Sequence, residues 1–227
     1  LIRRCALTVS KSGSPGPAPT KYTIPFRASF MQQESNQERA RFKNYLRKIG
    51  SGEQTSRSMT REESADALEL ILTEIPSPAQ IGAFLIAHRI RRPEPQELAG
   101  MVDTYLKLGP QIKSHKSNSR PICFGMPFDG RTRTAPIYPL TTLVLLSADQ
   151  PVVLQGGGRM PVKYGVTIQE LFSVLNLNLK GLTIDQVNAG FLQTNFAAIH
   201  QPNHFPLAEK LIKYREDIGK RPPIASM

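Results

Sequence analysis

The stretch Cys123-Phe-Gly-Met-Pro-Phe-Asp-Gly-Arg-Thr-Arg-Thr134 has the residue types of a phosphate-binding turn, with glycines at 125 and 130, an acid at 129 and arginines at 131 and 133. Glycine lets backbone N–H groups approach ligand oxygens closely, so Gly125 and Gly130 are candidate cradle positions with Asp129 between them. A second group, Gly156-Gly-Gly158, runs into Arg159, Lys163 and Gly165. A tight strand-end turn explains that triplet as well as a phosphate contact does. Arg89, Arg91 and Arg92 form a third cationic group, which reads either as a polyanion contact or as a solvated helix end complementing the dipole. His200 and His204 stand at metal-ligand spacing, but Pro202 breaks helical register between them and no third ligand follows. They read as loop histidines. No Gly-x-Ser-x-Gly elbow or Cys-His constellation supports hydrolysis.

The charge is uneven. The net is +11, with 11 Lys or Arg against 3 acids over 1–58, 5 against 8 over 59–110, 7 against 2 over 111–165, and 6 against 5 over 166–227. Two basic zones flank an acidic block, and such zones attract RNA, DNA or phosphorylated ligands at long range. The 227 residues, 40% apolar and 21% charged, suit a folded protein with a sizeable core. Cys5 and Cys123 lie 118 positions apart, neither has a cysteine or histidine at metal-ligand spacing, and both read as ordinary thiols of a reducing compartment. No run approaches the length of a membrane span.

These groups need elements to hold them. Residues 1–30 contain no acid and a Ser/Pro/Gly run, a composition that packs no core and resembles a transit peptide or translated upstream sequence. They are set outside the fold, with Met31 as an alternative start. Residues 31–110 form the helical domain. A basic helix over 32–49 has Phe42, Tyr45, Leu46 and Ile49 on one face. Thr60-Arg-Glu-Glu63 is a capping box, followed by Ala65, Leu68, Ile71, Leu72 and Ile75. Ser77-Pro78 and Glu94-Pro95 open two further helices, with stripes Ile81, Phe84, Leu85, His88 and Leu98, Met101, Val102, Tyr105, Leu106. From 111 the pattern alternates. Strands are expected at 121–124 and 151–154, and helices at 140–146, 170–175, from Thr183, and over Phe205–Ile218. The tail Pro222-Pro-Ile-Ala-Ser-Met227 reads as the opening of a further strand. The expected class is α/β, a small N-terminal helical domain plus an incomplete α/β domain with a mainly parallel sheet.

The order of these motifs, above all Ser77–Met101, resembles the anthranilate phosphoribosyltransferase family, a family-3 glycosyltransferase group that includes nucleoside phosphorylases. Residues 111–227 resemble the first part of that family's α/β domain, and the second half, with its magnesium-binding Asp-Glu pair, has no counterpart. The family's loop Gly-Thr-Gly-Gly-Asp-Gly falls on Gly125-Met-Pro-Phe-Asp129-Gly130, where Pro127 offers no N–H and Met126 and Phe128 add bulk. Its Lys-His-Gly-Asn-Arg motif falls on Leu154-Gln-Gly-Gly-Gly-Arg159, and its Lys-Ser-Gly on Lys163-Tyr-Gly165. Its Ala-Pro-Arg-Tyr-His-Pro motif falls on the stretch from Ala198 to Pro206, with no arginine between Arg159 and Arg215.

The resemblance implies ligand positions at Gly125, Asp129, Gly130, Gly156, Lys163 and Gly165, and a homodimer through the helical domain. A branch of the family keeps the fold, lacks the substrate motifs and binds nucleic acid through a basic groove. Arg89, Arg91, Arg92, Arg131, Arg133, Arg159 and Lys163 are the residues that would serve that role. The expectation is therefore a polyanion-binding relative with degenerate substrate motifs and no cofactor. The alternative is a working transferase that uses phosphoribosyl pyrophosphate and magnesium. The expected location is cytoplasmic, or an organelle if the leader is a transit peptide.

Overall fold

The computed structural model describes residues 25–113, 119–125, 132 and 134–226. Four helices come first: α1 (Pro25–Gly50), α2 (Arg61–Leu72), α3 (Pro78–Arg91) and α4 (Pro95–Leu108). Capping boxes at Thr60/Glu63 and Ser77/Gln80 start α2 and α3 where the sequence places them, each satisfying two amides left open by a first turn. α1 begins at Pro25, inside the stretch expected to lie outside the fold.

α2 lies against α4, and α1 against α3. Gly100 permits the first contact, because a Cβ there would sit 2.0 Å from the carbonyl oxygen of Arg61. With the backbones this close, the buried face of α4 runs through Glu97, Gly100, Met101 and Thr104. Val102 and Leu106, expected inside, are exposed. The stripe shifts because the contact line follows the one residue that lets the helices touch.

The helical core does not close with the residues before 110. Leu211, Tyr214 and Ile224 are buried in the same cluster as Phe42, Leu68 and Phe84. Each such side chain contributes about 1.5–3 kcal/mol by leaving water. Tyr105 Oη donates to the Ile224 carbonyl at 2.5 Å. Glu74, at the α2–α3 turn, takes Lys210 Nζ at 2.8 Å and Lys213 Nζ at 2.6 Å. These two ammonium partners hold its carboxyl down at about 2.

The remaining chain builds a three-stranded parallel sheet in the order β1 (Ile122–Gly125), β2 (Val152–Gly156), β3 (Phe196–His200). α5 (Tyr138–Ser147) and α6 (Ile168–Val174) pack on one face with Val152, Leu154 and Ala198. α7 (Ile184–Thr194) covers the other through Val187 and Phe191. β3 was not expected, because its alanines carry little strand signal. Where one helix was expected over 205–218 there are α8 (Gln201–His204), α9 (Pro206–Glu209) and α10 (Ile212–Ile218), divided in part by Pro206. The tail from Pro223 to Ser226 is a 3₁₀ turn rather than a strand, held in the helical core by Ile224. Among the described residues no helix is long and apolar enough to cross a membrane.

His88 lies fully buried on α3, stacked on Phe84 with centroids 5.7 Å apart, and neither ring nitrogen has a hydrogen-bond partner. Burial lowers its pKa to about 4 from an ordinary 6.5, with Glu97 raising it and Arg91 lowering it. Between those values the unfolded chain binds the proton and the folded chain does not, so stability falls as pH drops from about 6.5 to about 4. The loss attributable to this ring is about 3 kcal/mol. His88→Leu should flatten that part of the stability curve in urea titrations run across the interval. An unchanged slope would show that the ring does not carry it.

Candidate functional site: the sheet's carboxyl edge and the α10 cationic surface

In parallel α/β sheets, ligands bind outside the carboxyl ends of the strands. Here those ends are Gly125, Gly156 and His200, with Gly125 paired to Gln155 and Gly156 to His200. Gly125 is exposed and Gly156 buried. Asp129, Gly130, Arg131 and Arg133, with the bulky positions 126–128, lie outside the described residues. In the second glycine group a Cβ at Gly157 would meet Met160 Cε at 2.6 Å and Pro202 Cδ at 3.5 Å, whereas one at Gly158 meets nothing within 4 Å. Gly157 therefore serves local packing.

The loop after β2 bridges the sheet and the helices. Arg159 Nε donates to Glu170 Oε1 at 2.7 Å. Glu170 also caps α6, accepting the Thr167 amide at 2.9 Å, and that bond followed by Arg159 holds its carboxyl below the usual range. The pair is half exposed, so its worth is about 1 kcal/mol or less. Lys163 is exposed, and Gly165 is buried. Tyr164 Oη donates to Glu216 Oε1 at 3.2 Å, joining this loop to α10. Arg215, wholly buried on α10, reaches Met160 Sδ at 3.8 Å.

The three arginines at the end of α3 have different fates. Arg91 turns inward to Glu97, a fully buried carboxylate, and donates to Ser58 Oγ at 3.1 Å. Glu97 also accepts the amides of Met59 at 3.1 Å and Glu94 at 2.8 Å. Burial pushes that carboxyl up, but Arg91 and the two amides hold it below the ordinary range. Arg91 thus belongs to the fold. Arg92, with φ of 63°, turns outward and is exposed. Arg89 is exposed, and its guanidinium donates to the Arg221 carbonyl, a contact between positions 132 apart.

That contact assembles what the sequence kept apart. Lys220 and Arg221, both exposed, join Arg89 just past the end of α10. The Tyr164–Glu216 bond brings the Lys163 loop to the same helix. Lys220 and Arg221 are not among the candidates that the sequence offers. The available signal was a pair of adjacent cations between Gly219, whose φ of 63° ends α10, and two prolines.

The histidines are structural. His204 Nδ1 accepts the His200 amide at 3.0 Å, which leaves Nε2 protonated to donate to the Leu182 carbonyl at 2.7 Å. Burial lowers the His200 pKa. Among the described residues no grouping of three or more His, Cys, Asp or Glu could hold a metal.

Comparison with known proteins agrees with this architecture. Residues 43–109 match the model of the glycosyl transferase family, helical bundle domain. The anthranilate phosphoribosyltransferase of Afipia carboxidovorans is 24% identical over 180 residues, covering 79% of this chain and 50% of that protein. One from Bacillus cereus is 25% identical over 176 residues, covering 78% and 49%. The chain therefore spans about half the length of the curated relatives it matches. Two solved anthranilate phosphoribosyltransferases share the fold. The Thermus thermophilus enzyme has a TM-score of 0.63 at 16% identity, covering 75% of this chain and 52% of its own. The Saccharomyces cerevisiae enzyme, solved with PRPP and Mg, has 0.66 at 14%, covering 82% and 53%. With bundle, parallel sheet and relatives in accord, the chain has the fold of the anthranilate phosphoribosyltransferases and is similar to them in sequence, and its residues 43–109 match the helical bundle domain of the glycosyl transferase family.

Proposed function

We propose that this chain is an anthranilate phosphoribosyltransferase-like protein that binds a nucleic acid or another polyanion and has lost the transferase activity. The observation that carries the reading is the Arg89 contact to the Arg221 carbonyl, which brings Arg89 together with Lys220 and Arg221 at the end of the helix that the Lys163 loop also contacts. Phosphate contacts need charge and reach, not a tight glycine cradle. The sequence supports the same direction, since Pro127 removes an amide where the family loop presents one and Arg131 and Arg133 add charge beside it. Arg91 has no part in this reading.

Duplex DNA is expected to bind this chain with an affinity that falls steeply with salt, the log-log slope being about −0.9 per neutralised phosphate. Arg89→Gln with Lys163→Gln should flatten that slope by about 1.8, two contacts' worth. No retardation at low salt, or a flat salt response, sinks the claim.

The alternative is a working family-3 transferase that moves a phosphoribosyl group to anthranilate or a related acceptor. It draws support from Gly125 and Gly156 at the strand ends and from the yeast relative's complex with PRPP and Mg. The described residues do not supply a carboxylate set for magnesium, so the reading rests on the glycine positions. A ligand at a hundred times its Kd stabilises a fold by about 2.7 kcal/mol. Under the leading reading, millimolar phosphoribosyl pyrophosphate with magnesium leaves the melting temperature unmoved. A clear upward shift would favour the transferase.

The reading includes a homodimer through the helical bundle. A groove of about 1060 Å³ runs along α3, lined by Ala79, Gly82, Ala83, Ile86 and Ile90, the last 76% exposed. A Cβ at Gly82 meets nothing within 4 Å, so Gly82→Glu leaves the protomer fold intact. Light scattering should give a dimer for the parent chain and a monomer for this variant. A monomeric parent removes the dimer from the reading.

A further inference from the structure

A second cationic surface lies on the helical bundle, at the end of α1 and the loop that follows it. The last turn of α1 carries Arg47 and Lys48, and the following loop folds back so that the Arg57 amide donates to the Lys48 carbonyl at 2.9 Å. The result is a depression of about 280 Å³ lined by Asn44, Arg47, Lys48, Ser51, Thr55 and Arg57, with no acid in its wall. Lys48 is paired, its Nζ 2.6 Å from Glu63 Oε2. The side chains of Arg47 and Arg57 are exposed and meet no acid among the described residues. Elsewhere on the bundle Arg41, Arg61 and Lys107 each have a carboxylate partner, Asp66, Asp103 and Glu69.

Cations in a last turn complement the helix dipole, and that accounts for Arg47 and Lys48. It does not account for Arg57, which lies outside α1 and is brought back by a specific main-chain bond. The hydroxyls are already committed, Ser51 Oγ to the Arg47 carbonyl and Thr55 Oγ1 to the Ser51 carbonyl at 2.7 Å. The donors left to face a ligand are the Arg47 and Arg57 guanidinium groups and the Asn44 amide. A guanidinium presents its N–H groups in a planar fork that matches phosphate oxygens. We infer that Asn44, Arg47 and Arg57 form a phosphate-binding site, taking a backbone phosphate of the bound nucleic acid.

This inference rests on the polyanion reading and extends it to a second contact point, so the test must separate the two. Duplex DNA binding by the full chain is measured by fluorescence anisotropy across a salt series for the parent, for Arg47→Gln with Arg57→Gln, and for Arg89→Gln with Lys163→Gln. In parallel, the Arg Nε–Hε resonances are followed by NMR while inorganic phosphate is titrated at constant ionic strength. The expected result is a slope flattened by about 1.8 in the Arg47/Arg57 variant, additive with the other pair, and unchanged thermal melting because both side chains are exposed. If the parent binds DNA and the Arg47/Arg57 variant keeps its slope, this site is rejected and the polyanion reading survives. If the parent binds no DNA but phosphate shifts the Arg47 and Arg57 resonances, the site takes free phosphate and the nucleic-acid assignment is overturned. No DNA binding and no shift overturn both.

Discussion

The buried carboxylate of Glu97 organises the part of the molecule on which the functional reading depends. It accepts Arg91, the amide of Met59 before α2 and the amide of Glu94 before α4, while its own carbonyl accepts Ser64 Oγ at 2.8 Å. One side chain thus ties the end of α3, the start of α4 and the entry to α2. A carboxylate so placed is stable only with its partners, and removing one member of a buried pair costs about 3–5 kcal/mol. Because Arg91 is drawn in, the helix end must present Arg89 and Arg92 outward, and the left-handed backbone of Arg92 turns the chain immediately after. The cationic surface is therefore a by-product of an internal charge balance.

The two halves of the chain meet through α10. Tyr214 and Leu211 face the helical core, while Glu216 and Arg215 contact the loop that follows β2. A helix shared in this way holds the carboxyl edge of the sheet at a fixed place relative to α3. The solved anthranilate phosphoribosyltransferases share this fold, and here the middle residue of the glycine triplet, Gly157, packs against Met160 and Pro202.

Much of this was legible in the sequence because the signals were local. Thr60 with Glu63, Ser77 with Gln80, Thr167 with Glu170 and Thr183 with Gln186 all form capping boxes, and each marks a helix start within a few residues. β1 and β2 were readable from short apolar runs beside glycines. β3 was not, since Phe196-Ala-Ala-Ile-His200 is recognisable only once its pairing with β2 buries the alanines. The buried face of α4 was misjudged because the deciding residue, Gly100, acts through what it lacks. The site was legible in composition and opaque in detail: nothing in Arg89-Ile-Arg-Arg92 says which guanidinium Glu97 will take, and nothing near Arg89 announces Arg221. Those facts live in tertiary contacts.

Ile224, seated among residues that begin at Phe42, has a bearing on synthesis. As the polypeptide leaves the ribosome, the first four helices emerge long before the segment that finishes their shared interior. Until that segment arrives, the apolar surface it covers stays wet, and the bundle must wait through the making of the whole sheet. The interior of the bundle is consequently completed only once the Pro223–Ser226 turn has been made, and a nascent chain stalled anywhere before residue 211 would leave that apolar surface uncovered.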